Sequence, residues 1–195
     1  TEPARFQFPS DTDVEVDMMR VNARLLYTDG EGFEAVELPY ADGNLAMLIV
    51  VPDHPAFEDV RSTFGPDDLD AVVSDLESAQ VNLRLPKWEF RTQASLKEAL
   101  IAMGMPTAFT GGVADFTGMS PRGDSLYISA VVHEAFISVD EMGTEAAAAT
   151  AVVVGETSAP ELVDLTVDRP FMFFLRDRET GALLFMGHVT NPAAD

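Results

Sequence analysis

Apolar and polar residues alternate with period two along much of the chain, and that period predicts strands. Phe6–Phe8 and Val14–Met19 read as short strands. In "ARLLYTDGEGFEAVELPYADGNLAMLIVVPD" (Ala23–Asp53), three strands are divided by turns at Asp29-Gly30 and Asp42-Gly43, both strong hairpin signals. The third, Leu45–Val51, is apolar on both faces, as a strand buried in a two-layer core must be. "VNLRLPKWEF" (Val81–Phe90) alternates again, with Pro86 marking an edge or a bend. "SLYISAVVHEAFISVD" (Ser125–Asp140) predicts a long strand of β-branched and aromatic residues.

Helical spacing appears twice. Pro66–Ser78 carries acids in its first turn, which suit the positive end of a helix dipole. Ser95–Met105 is amphipathic, with Ser95 as N-cap, Glu98 closing a capping box and Gly104 as the stop. "ELVDLTVD" and a hairpin over Arg169–Pro192 close the chain, and Phe171–Leu175 is again apolar on both faces. The expected class is α+β, mainly antiparallel sheet with a few helices.

One stretch breaks the pattern: "DEMGTEAAAATAVVVGETSAP", residues 140–160. Ala favours helix, and Thr144 could cap one, but no apolar stripe develops before three valines and Gly155. Taken with period two, Thr144, Ala146, Ala148 and Thr150 share a face with no charge and no bulk, while Glu145 falls on the other. Such a ribbon can slide between the strands of an existing sheet without displacing a core.

Composition narrows the function. The formal net charge is -21, from 33 acidic and 12 basic residues, and only Lys87 and Lys97 are lysines. Phosphate contacts cannot drive nucleic-acid binding at that charge, nor can an anionic membrane surface attract the chain. Acids spread along the whole length fit adaptation to high salt, where screening acts within a few ångströms. There are no cysteines, hence no disulfides or thiolate chemistry. No apolar run reaches the ~18–20 residues of a membrane helix, and "TEPARFQFPSDTD" carries no signal peptide.

Catalytic and metal motifs fail. The histidines are His54, His133 and His188, and "HEAFI" lacks a second His at zinc-helix spacing. There is no nucleophile elbow and no phosphate loop. No metal and no cofactor is expected. His133, within "VVHEAF", is placed to latch neighbouring strands of a sheet.

"DEMGTEAAAAT" resembles the hinge signature of the serpins, Glu-x-Gly-Thr-Glu-Ala-Ala-Ala-Ala-Thr. "VELPYADGNLAMLIVVPD", "LRLPKWEF", "LKEALIAMGMPTAF", "ADFTGMS", "LYISAVVHEAFISVDE" and "DRPFMFFLRDRETGALLFMGHVTNP" resemble further serpin blocks, in the family's order. The likeness runs from about Phe6 to Pro192. It implies the serpin fold, with residues 1–195 as the C-terminal part of one domain and a reactive-centre loop over about 141–168. The N-terminal helices and several strands of the accepting sheet would be supplied by a missing half.

The resemblance implies an inhibitor of serine or cysteine proteases rather than an enzyme. The target protease cuts the exposed loop, and the cut loop inserts into the large sheet as a new strand. Carried over residue by residue, the hinge comprises Glu141, Gly143, Thr144, Glu145, Ala146, Ala147, Ala148, Ala149 and Thr150. Met142 replaces the polar or charged residue common in the family before the hinge Gly. Family spacing from Glu141 places the cleaved bond at Thr157–Ser158, with Gly155–Glu156 and Ser158–Ala159 as alternatives. Small residues there suit an elastase-type or subtilisin-type protease. Glu141 and Lys87 match positions that pair across the top of the sheet in some relatives. The alternative is a non-inhibitory serpin (chaperone, carrier or storage protein) or a truncated inactive fragment. Relatives occur outside cells and in microbial cytoplasm, and the extracellular setting is the one expected.

Overall fold

Runs that are apolar on both faces demand cover on both faces, and the structure supplies it. In the computed structural model, which describes residues 1–8, 12–41, 43–141 and 162–194, the chain divides into two units. One comprises Thr1–Glu89 with Ser138–Ala194, the other Phe90–Ile137.

The first unit is built on an eight-stranded sheet. Its strands are β1 (Glu2–Gln7), β2 (Asp13–Gly30), β3 (Phe33–Pro39), β4 (Leu45–Pro52), β5 (Glu77–Pro86), β8 (Leu162–Thr166), β9 (Phe171–Asp177) and β10 (Leu183–Val189). Their order is β10-β9-β4-β3-β2-β5-β8, with β1 on β2. Every pairing is antiparallel except that of β5 with β8, which is parallel, Gln80 to Arg84 running beside Leu162 to Thr166.

β4 is buried from Ala46 to Pro52, and Phe171–Phe174 of β9 are buried beside it. On one face, Leu48, Val50, Met172 and Phe174 pack under the helices α1 (Phe57–Thr63) and α2 (Pro66–Ser74), which contribute Phe57 and Val72. Phe64 stacks on Phe174 with ring centroids 5.6 Å apart. On the other, Phe171 and Phe173 meet Trp88 at 5.1 and 5.9 Å. Gly187 is required there, since a Cβ would come within 2.8 Å of the Phe173 ring.

The two segments read as separate strands on either side of Met19 are one strand, β2. Val16 and Met18 are buried in its first part, Met19 and Leu25 in its second. The buried face therefore changes parity at Met18–Met19, where both side chains are enclosed, and this change made one strand look like two. Its hairpin to β3 turns at Glu31-Gly32 rather than Asp29-Gly30. Gly30 still pairs with Phe33, and Gly32 takes the left-handed conformation at φ 84°.

In the second unit, β6 (Trp88–Ser95) and β7 (Val132–Val139), whose outer ends belong to the first, form a two-stranded sheet. Helix α3 spans Lys97–Ala102. Ser95 is not its cap: it is the last residue of β6, Leu96 occupies the N-cap, and no side-chain cap bond forms. Gly104, at φ 100°, does end the turn. The expected strand over Ser125–Asp140 shortens to β7, because Gly123–Ser125 form a 3₁₀ turn and residues 126–131 join no ladder. Likewise α2 stops at Ser74, and β5 already begins at Glu77.

Candidate functional site

Pro86 ends β5, so the next residue leaves the ladder and a new direction starts at Trp88. Two contacts fix Lys87 at this corner. Its amide N–H donates to the carbonyl of Asp17 at 2.8 Å, and Trp88, 3% exposed, is wedged against Phe171 and Phe173. With the backbone held on both sides, the ammonium reaches Glu141, just past the end of β7: Nζ lies 2.6 Å from Oε2. The Thr1 hydroxyl donates to the other carboxylate oxygen.

The hydrogen bond from Lys87 is the main cause holding the Glu141 carboxyl below its ordinary range, helped by a backbone amide. The same bond raises the Lys87 ammonium. Both groups reach solvent, with side-chain exposures of 35% and 46%, so water and salt screen the attraction. Beside the pair lies an open cavity of about 580 Å³, lined among others by Pro3, Asp17, Trp88, Val139 and Asp140. The Trp88 indole N–H is buried and has no acceptor among the described residues.

The register fixes where the chain leaves and returns. It leaves at Glu141, beside the residue that follows β5, and returns at Leu162, opposite Gln80 of β5. Those anchors are separated along β5 by on the order of 20 Å at a strand's rise per residue. Residues 142–161 can reach roughly 66–72 Å fully extended.

Of the residues singled out in the sequence, the structure brings together Lys87 and Glu141. His133 is exposed on β7, and its side chain has no hydrogen-bond partner among the described residues. Gly143, Thr144, Glu145, Ala146, Ala147, Ala148, Ala149 and Thr150, and the Thr157–Ser158 bond, lie outside the described residues.

Two polar clusters escaped the sequence reading. Glu37, 2% exposed, is held by Arg176 at 2.5 Å and Arg178 at 3.1 Å. Its signal was a carboxylate sharing a strand face with Ala35. Glu34 accepts from the Tyr27 hydroxyl at 2.9 Å and pairs with Arg169 at 3.3 Å, while Arg169 Nε donates to the Pro52 carbonyl at 2.9 Å. This network ties the start of β9 to β2, β3 and the end of β4. Desolvation, then the Glu34 contact, pushes the Tyr27 hydroxyl well above its ordinary pKa.

Comparison with known proteins places this geometry. The family model for serpin (serine protease inhibitor) matches residues 1–192. An uncharacterized serpin-like protein of Thermococcus kodakarensis is 40% identical over 98% of this chain and 45% of its own length. Serpin B13 of Homo sapiens is 34% identical over 98% of this chain and 50% of its own. Among solved structures, the native state of tengpin, a thermophilic serpin, superposes with a TM-score of 0.77 at 28% identity, covering 97% of this chain and 50% of that one. Thyroxine-binding globulin in complex with thyroxine gives 0.82 at 26% identity, covering 99% and 51%. The chain thus spans about half the length of the relatives it matches.

Proposed function

The chain belongs to the serpin family and has the C-terminal portion of the serpin fold; from that premise we propose that its parent protein traps serine proteases as a suicide substrate. The observation that carries the reading is the uncharged, small-residue face of Thr144, Ala146, Ala148 and Thr150, placed directly after Glu141.

In this reading the protease serine attacks the carbonyl of Thr157, the bond to Ser158 breaks, and an acyl-enzyme forms. The freed ribbon then enters the large sheet as an added strand, dragging the protease with it before the acyl bond is hydrolysed. Each new ladder hydrogen bond contributes about 0.5–1.5 kcal/mol. Release of such stored free energy drives a one-way change. A bulky or charged side chain on the inward face would oppose entry, and this sequence has none there. The Lys87–Glu141 pair acts as a gate beside the point of entry. Small residues at 154–159 favour elastase-type or subtilisin-type targets, and the acidic surface suits a saline, extracellular setting.

The test mixes the product of the complete gene with an elastase-type and a subtilisin-type protease. A covalent complex that survives boiling in detergent is expected, and mass spectrometry of the released peptide should begin at Ser158. Clean cleavage with no complex would overturn trapping and favour a carrier or storage role.

A further inference from the structure

Where β2, β5 and β8 run side by side, Val81, Leu83, Leu85 and Leu165 are buried on one side of the sheet. The other side is polar, and its cross-strand rows can be checked one at a time. In the row of Asn22, Asn82 and Asp164, Asn82 donates to Asp164 at 2.6 Å and Asn22 accepts from Gln80. One row away, Arg24 Nε donates to the Ser78 hydroxyl at 3.1 Å. The row of Arg20, Arg84 and Thr166 is the exception. Glu2 meets one terminal nitrogen of Arg20 at 2.8 Å. Arg84 has no ion pair or side-chain hydrogen bond among the described residues, and its Nε–H is buried without an acceptor. The Thr166 hydroxyl also has no partner among them.

Two arginines directly opposite each other destabilise a sheet, and a guanidinium N–H buried without an acceptor needs a reason. Glu2 compensates Arg20, and Asp164, two residues before Thr166 on β8, is engaged by Asn82. Arg84 is therefore left with an uncompensated positive charge in a chain of 33 acids and 12 bases. All three side chains of the row can donate, so an acceptor carrying negative charge completes it. Neighbouring strands lie about 4.7–4.9 Å apart, a gap that a tetrahedral oxyanion spans. Two of its oxygens match the planar fork of a guanidinium, which a spherical ion cannot do. Arg84 is half-buried between its strand neighbours, and a small ion reaches such a recess more readily than a group carried on another macromolecule.

We propose that the Arg20–Arg84–Thr166 row binds a small inorganic oxyanion, phosphate or sulfate, which ties β8 to β5 and β2. β8 is five residues long and pairs only with β5 among the described residues, so a bridging ion strengthens its hold on the sheet. The site is independent of the trapping reading.

The test uses the complete gene product, its Arg84→Gln and Arg84→Lys variants, and Arg61→Gln on α1 as control. Melting temperature is followed as sodium chloride is exchanged for sodium phosphate or sodium sulfate at constant ionic strength and pH, and phosphate affinity is measured by calorimetry. The wild type and the control should gain stability saturably with one or both oxyanions. Arg84→Gln should lose that gain and bind phosphate about tenfold more weakly. Arg84→Lys, which keeps the charge without the fork, should recover only part of the affinity. A gain that never saturates, or that is equal in the wild type and Arg84→Gln, reports salt exclusion or an adventitious ion only and overturns the site. If Arg84→Gln does not fold, Thr166→Ala decides: weaker phosphate binding supports the site, and unchanged affinity overturns it.

Discussion

Lys87 Nζ stands 2.6 Å from Glu141 Oε2, joining the end of one sheet's strand to the residue that leads out of another. The pair's pH window follows from its two shifts. Glu141 is depressed by the Lys87 bond, so its contribution is present above the ordinary value of 4.5 and is lost as pH falls through the lowered folded value. Lys87 is raised by the same bond, so its contribution is complete below 10.5 and is lost as pH rises through the raised value. Lys87→Ala should therefore flatten the acid limb of the stability curve and move the melting temperature little, and molar salt should erase the difference from wild type. A large loss of stability at neutral pH would show that the pair bears structural weight.

Glu37 should behave differently because it is buried. Arg176→Met leaves a desolvated carboxylate with only the partly exposed Arg178, and should cost about 3–5 kcal/mol by denaturant unfolding. Arg178→Met should cost less.

Tyr27 should show itself at high pH. Burial and Glu34 raise its folded pKa, so its contribution is complete below the ordinary 10.0 and fades as pH rises through the folded value. Tyr27→Phe should weaken the fold at neutral pH by about 0.5–1.5 kcal/mol, and the difference should close in strong alkali. A constant difference across that range would contradict the assignment.

Gly187→Ala places a methyl within 2.8 Å of a Phe173 ring that is itself 2% exposed and pinned by Trp88. About 1–3 kcal/mol should be lost. Trp88→Phe removes a buried donor that has no acceptor among the described residues but opens a gap against Phe171 and Phe173, so it should cost less than the about 3–5 kcal/mol of truncation to Ala.

Thr144→Arg tests the hinge. Insertion should slow, and the complete protein should turn from an inhibitor into a substrate, read as a higher ratio of cleaved protein to stable complex. Unchanged trapping would refute the assignment of the inward face.

Strands with both faces buried were legible because their composition leaves no alternative: Leu45–Val51 and Phe171–Leu175 sit where their hydrophobicity demands. Short elements were not. α1, "FEDVRST", buries only Phe57, so packing against Leu48, Val50 and Phe174 forms it rather than any stripe of its own. Ser95 looked like a cap because its local chemistry is right, but strand pairing claimed it first. For the site, spacing alone could not have joined Lys87 to Glu141, and only the family resemblance suggested the pair. The opposition of Arg20 and Arg84 needed the register of β2 on β5, which no local pattern encodes.

The change of buried parity at Met18–Met19 makes the middle of β2 intolerant of length change. Deleting one residue between Val16 and Leu25 would keep one half of the strand seated and turn the other over, putting Asn22 and Arg24 into the core and Leu25 into water. The hairpin at Glu31-Gly32, a surface turn, should absorb an insertion that the strand cannot. Length polymorphism among natural versions of this protein should therefore collect at that turn and spare residues 14–27.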